Sequence, residues 1–146
     1  MSMGLMKKWA GIGAVVLLLA ACSAAPSASR VDPPRVDRFG VHVSDEHSGG
    51  SVTLEREQQL EVSLSTVLSQ NREWELVGFV PGVLTGPTVP TFERDPQAAH
   101  SGDASGNAVW HFKPAAAGTV TLKFDYRNPR TREPVARTVS YTVIVR

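Results

Sequence analysis

Hydrophobic and polar residues alternate in short runs along the chain from about position 39 onward. The clearest runs place aliphatic or aromatic residues at every second position in 60–64, 120–126 and 139–145. Residues two apart share one face of a β-strand, so each run predicts a strand with one apolar and one polar face. From position 39 onward no window shows the 3.6-residue period of an amphipathic helix.

Four further segments, 39–43, 51–54, 73–80 and 108–113, bring the set to about seven predicted strands. Gly, Pro, Asn and Asp separate these runs, which predicts an all-β, antiparallel β-sandwich of two sheets. The stretch 81–106 holds four prolines and four glycines and is predicted to be a long loop with at most a short strand at 89–92. Long loops are uncommon and often functional.

The N-terminus has the pattern of an export signal. Lys7 and Lys8 precede thirteen uncharged residues, 9–21, and then Cys22. That stretch is shorter than the about 20 residues of a membrane-spanning helix. The ending Leu-Ala-Ala-Cys resembles the bacterial lipobox, which implies cleavage before Cys22 and a diacylglyceryl group on its thiol. The alternative is an ordinary cleavable signal followed by an incidental cysteine.

This interpretation divides the chain into a lipoprotein signal peptide, 1–21, a lipidated cysteine with a flexible tether, 22–38, and a folded domain, 39–146. The tether is predicted from its Ser, Ala, Pro and Arg content. Removing the signal changes the net charge from +1 to −1, because Lys7 and Lys8 are lost. We expect a location in the bacterial envelope, with membrane attachment through Cys22. Since Ser23 follows the cysteine, the outer membrane facing the periplasm is expected in a diderm host.

Composition excludes several kinds of protein. A single cysteine cannot form an internal disulfide or supply a cluster of thiolate ligands. A net charge near zero argues against a nucleic-acid-binding protein, which would need many cations against phosphates. The domain is long enough to form its own core without disulfides. We expect a monomer.

The sequence offers few candidates for a metal-binding, anion-binding or catalytic site. His42 and His47 lie near Asp45 and Glu46, which is compatible with a solvated turn or with a metal site. A predicted hairpin turn is surrounded by Arg127, Arg130, Arg132 and Arg137, which is compatible with a solvated surface or with an anion or nucleic-acid contact. No Gly-x-Ser-x-Gly nucleophile motif or phosphate-binding glycine loop is present. The chain is therefore not expected to be an enzyme.

The order of several features resembles the chagasin family of cysteine peptidase inhibitors. These features are the run 64–74 ending in Trp74, Ser105-Gly106 before 108–112, the segment 116–118, and the run 122–129. The resemblance extends over about 39–145. It implies an immunoglobulin-like sandwich that blocks papain-like peptidases sterically with three loops from one end, without a cofactor.

The family's three loop motifs align with three segments of this chain. Asn-Pro-Thr-Thr-Gly, counted back from Trp74, falls on Val67, Leu68, Ser69, Gln70 and Asn71. Gly-x-Gly-Gly falls on Asp103, Ala104, Ser105 and Gly106, and Arg-Pro-Trp falls on Asn128, Pro129 and Arg130.

Few letters of the motifs are kept in these segments. Asn71 replaces a glycine and can still accept a positive φ. Gly106 retains a glycine that allows close approach of a partner, and Arg130 replaces a tryptophan. Trp74, Trp110, Phe124 and Tyr126 are expected core residues, which a fold without inhibitory activity would also need. The alternative function is therefore a non-catalytic envelope module for adhesion or assembly.

Overall fold

A computed structural model of the chain describes residues 31–37, 40–98, 104–131 and 133–146. Cys22, the signal segment, most of the predicted tether, Asp103 and Arg132 lie outside the described residues. Within the described part, no helix is long and apolar enough to cross a membrane.

All seven predicted strands are present, although their bounds differ by a few residues. The ten strands of the described ranges are β1 Arg35–Val36, β2 Gly40–Ser44, β3 Ser51–Leu54, β4 Gln59–Val67, β5 Glu73–Val77, β6 Leu84–Thr85, β7 Thr91–Arg94, β8 Ser105–Pro114, β9 Gly118–Arg127 and β10 Arg137–Val145. Short 3-10 turns occupy Asp45–His47 and Leu68–Gln70.

The strands form the two sheets of a β-sandwich, which confirms the predicted all-β fold. One sheet has the order β1-β2-β4-β8, with both β6 and β7 paired to β8, and the other has the order β3-β10-β9-β5. Two pairs are parallel, β2 with β4 and β3 with β10, and the other pairs are antiparallel. The parallel pairs arise because the chain crosses to the other sheet in β3 before it returns beside β2 as β4.

The core fills the space between the two sheets with the apolar residues of the alternating runs. Trp110 and Phe124, which belong to opposite sheets, contact each other with ring centroids 4.7 Å apart. The Tyr141 ring lies 6.2 Å from Phe124, and its hydroxyl donates to the Ser44 carbonyl oxygen at 2.7 Å. Burial, with the negative charge of Asp45 nearby, raises the pKa of Tyr141 far above its usual range, so the phenol stays protonated.

The stretch 81–106 contains more strand than the sequence predicted. β7 pairs with β8 from Thr91↔Val109 to Arg94↔Gly106, and Ser105 and Gly106 are already part of β8. All four residues of β7 are exposed, and only Phe92 among them is apolar. The strand therefore shows no alternation of apolar and polar residues. That explains why a sequence pattern could not define this strand.

Strand direction determines which turns share an end of the sandwich. β4 and β9 both run toward the turns 67–71 and 128–130, and β8 starts from 104–106 beside the end of β4. We call this the loop end. The turns 55–58 and 114–118 lie at the other end of the strands, which we call the opposite end.

Candidate functional site

The first predicted segment turns sharply where β4 ends. Leu68–Gln70 form the 3-10 turn, and Asn71 ends it in the left-handed region with φ 51° and ψ 33°. Asn71 is the one non-glycine residue with positive φ among those the structure describes, so the predicted tolerance of Asn at this position is confirmed. Leu68, Ser69 and Gln70 point into solvent, and Leu68 is 44% exposed.

The second predicted segment is bound directly to the first. The Leu68 amide donates to the Ala104 carbonyl oxygen at 2.9 Å, and Val67 pairs with Ser105 in the antiparallel ladder. Gly106 is buried, and a Cβ atom built there would overlap the Glu93 carbonyl oxygen and lie 3.0 Å from the Arg94 Cα atom. The backbone that approaches Gly106 in this structure is therefore that of β7, and the glycine allows β7 to pack closely.

The third predicted segment is the turn between β9 and β10. The Asn128 side-chain oxygen accepts a hydrogen bond from the Arg130 amide at 3.0 Å, which stabilises the turn locally. Pro129 and Arg130 are both exposed. Asn128, Pro129 and Arg130 face Leu68 and Asn71 across a small cleft of about 90 Å³.

The described members of all three segments therefore meet at the loop end. The first and second are joined through β4 and β8 in one sheet, and the third reaches the first across the cleft from the other sheet. The three segments are far apart along the chain, and no local pattern indicates that they converge. Asp103 lies outside the described residues, and Cys22 likewise.

Buried aromatic residues support the loop end from below. Trp74 is 4% exposed and packs on Tyr126 with ring centroids 4.9 Å apart. Its indole N–H donates to the Ser65 carbonyl oxygen at 2.9 Å, which ties β5 to β4 across the two sheets. The Arg137 guanidinium lies 5.8 Å from the Trp74 ring centroid and pairs with Asp45 at 2.9 Å.

An apolar groove opens beside the loop end, between β5 and β7. Its volume is about 590 Å³, and Leu68 and Pro129 belong both to the groove and to the predicted segments. Val89 and Phe92 add exposed apolar surface, with 73% and 37% of their area accessible. Sequence reasoning missed these two residues because they lie in the stretch that was predicted to be a loop, and the only available signal was their apolar character among polar neighbours.

The side chains of His42 and His47 contact neighbouring polar groups of the protein. His47 Nδ1 accepts the Ser44 amide at 2.9 Å, and Nε2 lies 2.8 Å from the Asp32 carbonyl oxygen, to which it donates. His42 lies 3.3 Å from both Asp37 and Glu61 carboxylate oxygens. Among the described residues, no cluster of three or more His, Cys, Asp or Glu side chains forms a metal site.

The predicted basic hairpin is partly neutralised. Arg127 is bonded to the Glu75 carboxylate through Nε at 2.6 Å, and Arg137 is paired with Asp45. Arg130 remains exposed, and Arg132 lies outside the described residues. Two of the four arginines are thus held by carboxylates, which weakens the case for an anion-binding surface.

Comparison with known proteins places these features in a family. The sequence model of the chagasin family of peptidase inhibitors, I42, matches residues 53–145, which is more than half of the chain. No curated protein sequence matches the chain. Among solved structures, a cysteine protease inhibitor from Entamoeba histolytica is similar, with a TM-score of 0.61 and 17% identity over 72% of this chain and 93% of that one.

The solution structure of Amebosin is also similar, with a TM-score of 0.55 and 17% identity over 72% of this chain and 96% of that one. These two likenesses support the sandwich fold. The family consists of peptidase inhibitors and not of enzymes, so the prediction of a non-catalytic protein is confirmed by the family match. The chain belongs to the chagasin family of peptidase inhibitors.

Proposed function

We propose that this chain inhibits papain-like cysteine peptidases by placing its loop end across the active-site cleft. The observation that carries the proposal is the convergence of the first, second and third predicted segments at one end of a rigid sandwich. Such a surface blocks a cleft by occupying it, so neither a covalent bond nor a cofactor is needed. Because the turns are already held by the two sheets, little conformational entropy is lost on binding.

The exposed side chains of the loop end are the proposed contacts. Leu68, Ser69 and Gln70 project from the first turn, and Pro129 and Arg130 from the third. Gly106 is buried under β7, so we assign it to support of the second segment instead of contact. Leu68 and Pro129 continue into the apolar groove, which supplies apolar area beside Arg130, where the family motif has a tryptophan.

Inhibition assays with the soluble chain 23–146 test this proposal. We expect submicromolar inhibition of at least one papain-like peptidase and no inhibition of a serine peptidase. Leu68→Glu and Arg130→Glu should each weaken inhibition by tenfold or more. The matched control is Val80→Glu, since Val80 is 74% exposed and follows β5 on the side away from the loop end.

The control variant should inhibit as the unchanged chain does. No inhibition across a panel of papain-like peptidases would contradict the proposed function. Equal losses from Leu68→Glu and Val80→Glu would contradict the assignment of the contact surface to the loop end.

We further propose that the protein acts as a monomer held on the bacterial envelope by lipid on Cys22. The basis is the uncharged segment 9–21 directly before Cys22. Mass spectrometry of the N-terminal peptide should find diacylglyceryl on Cys22, and Cys22→Ser should move the protein from the membrane fraction to the soluble fraction. Retention of the variant on membranes would contradict lipid anchoring.

A further inference from the structure

The N-terminal segment reverses direction along the edge of the sandwich. Residues 31–36, which we call the strap, end in β1, and β1 is antiparallel to β2 with Arg35 opposite His42. β2 is parallel to β4 and so runs toward the loop end. β1 therefore runs away from the loop end, and the residues that precede it lie nearer to that end.

A side-chain contact confirms where the strap begins. The His47 Nε2 atom donates to the Asp32 carbonyl oxygen at 2.8 Å. His47 belongs to the 3-10 turn that also contains Asp45, whose carboxylate accepts from the Ser65 hydroxyl at 2.6 Å. His47 Nδ1 in turn accepts the Ser44 amide, and Ser44 is opposite Ser63, so Asp32 is held near the level of Ser63 to Ser65, in the half of β4 nearer to the loop end.

The length of chain before the strap limits how the domain can stand on a surface. Val31 is nine residues from Cys22 and can be at most about 30 Å from it, with a typical separation of about 15–18 Å for a flexible chain. From the level of Ser63 to Ser65, the sandwich extends roughly 14–20 Å further to Gln59 toward the opposite end, and the turn 55–58 lies beyond. A domain with its loop end pointing away from the membrane would therefore require a tether stretched beyond its typical separation, whereas a domain with its loop end toward the membrane would not.

Release of the strap would remove this limit. The chain would then leave the domain at Gly40, which begins β2 at the opposite end and is 18 residues from Cys22. A flexible chain of that length spans about 21–25 Å on average. Both residues of β1 are exposed, with Val36 at 63%, so little apolar surface opposes release.

We infer that the strap determines which end of the sandwich faces the membrane, and that in the anchored chain it holds the loop end toward that surface. This inference rests on the proposed lipid anchor and the proposed inhibitory loop end. A globular peptidase of about 200 residues is roughly 40 Å across. It does not fit freely between the loop end and a membrane at most about 30 Å from Val31. The strap thus limits the access of a peptidase to the loop end of the anchored inhibitor, and its release makes the loop end accessible.

Energy transfer on vesicles tests the orientation without any peptidase. Chain 22–146 with Cys22→Ser and an N-terminal hexahistidine tag is bound to vesicles that contain nickel-chelating lipid and an acceptor dye. A donor dye is attached to a single introduced cysteine, either Ser69→Cys at the loop end or Glu57→Cys at the opposite end. Both positions are exposed, and Cys22 is the only native cysteine, so labelling is specific.

We expect at least twofold stronger transfer from position 69 than from position 57. A chain tagged after Arg146, which lies at the opposite end, should give the reverse order. Arg35→Pro, which removes the Arg35 N–H from the β1–β2 ladder, should abolish the difference, and so should a twelve-residue Gly-Ser insertion between Arg30 and Val31 that leaves the folded domain unchanged. Equal energy transfer from positions 69 and 57, in the N-terminally tagged chain with an unmodified strap, would overturn the inference.

Inhibition on the same vesicles tests the consequence. A papain-like peptidase should associate at least threefold more slowly with the N-terminally anchored chain than with the C-terminally anchored one, and Arg35→Pro should remove this difference. Equal association rates for the two anchored chains would contradict the inference that the strap limits access to the loop end. If the soluble chain does not inhibit at all, the proposed function fails, whereas energy transfer still decides the orientation.

Discussion

The loop end and the opposite end of the sandwich are formed by the same long strands but are closed differently. At the opposite end, the Val83 carbonyl oxygen accepts hydrogen bonds from Ala115 and Ala116, and the Phe79 ring packs edge-on against Phe112 at 5.4 Å. At the loop end, Leu68 and Arg130 project into solvent above the buried Trp74.

The difference shows how a sandwich separates stability from binding. The opposite end satisfies its backbone and covers its core with neighbouring apolar groups, so a change there should alter folding and leave binding intact. The loop end keeps side chains exposed, which contributes little to folding, and depends on Trp74 and Arg137 to keep their positions. Variants at the two ends should therefore have different ratios of stability loss to inhibition loss.

Trp74→Ala should have the largest effect, because it removes the buried support directly beneath the loop end. We expect the free energy of unfolding to fall by about 3–5 kcal/mol, as for other large-to-small aromatic core changes. Urea denaturation measures the loss. Trp74→Phe, which keeps a ring against Tyr126, should lose about half as much; a loss below about 1 kcal/mol for Trp74→Ala would contradict the supporting role.

Gly118→Ala should have the second-largest effect, and it should lower the free energy of unfolding without changing inhibition. Gly118 has φ 148°, and a Cβ atom there would lie 2.9 Å from Cγ2 of Val83. We expect a loss of about 2 kcal/mol in denaturation experiments, with unchanged inhibition by the folded fraction. Gly82→Ala is the matched control, since a Cβ atom at Gly82 would meet no atom of the described residues within 4 Å and φ is not positive there. Weaker inhibition by the folded Gly118→Ala variant would contradict the view that changes at the opposite end alter folding and leave binding intact.

Asn71→Val should have a smaller effect on stability and a larger one on inhibition. A β-branched residue at φ 51° costs about 1–2 kcal/mol, so we expect the 3-10 turn to shift and inhibition to weaken by tenfold or more. Asn71→Gly should leave both stability and inhibition within about 0.5 kcal/mol of the unchanged chain. Equal inhibition by the Val and Gly variants would show that the turn geometry does not matter for binding.

Arg137→Gln should have the smallest effect. It removes the ion pair with Asp45 and the contact with the face of Trp74, which together contribute about 1 kcal/mol at this partly exposed position. Denaturation at low and high salt should show a loss that shrinks as salt rises. A loss that does not depend on salt would indicate that Arg137 acts through packing alone.

Local alternation was enough to predict the strands that face the core on one side. β9 and β10 could be identified because Leu122 and Phe124, or Tyr141 and Val143, are buried while their neighbours are solvated. β7 lacked this signal because it is exposed on both faces. The parallel pairs could not be predicted either, since they depend on which sheet each strand joins and not on local residues.

The candidate site was only partly visible in the sequence. The motif of the resembled family, counted back from Trp74, located the first turn, and the chemistry of Asn predicted that Asn71 could accept a positive φ. A glycine such as Gly106 indicates that some backbone approaches closely, but a single sequence does not identify it as β7. Convergence of the segments follows from strand direction, which no local pattern contains.

The central position of β10 constrains the order in which the protein can fold. Among the described strands, β10 pairs with both β9 and β3, and its side chains Val139, Tyr141, Val143 and Val145 are buried. Until β10 is in place, this sheet lacks one of its two inner strands, and the core lacks an aromatic ring and three valines. That sheet can therefore form only when Ser51–Leu54 have paired with Thr142–Val145, about ninety residues further along the chain, and pairing over such a distance makes folding slow.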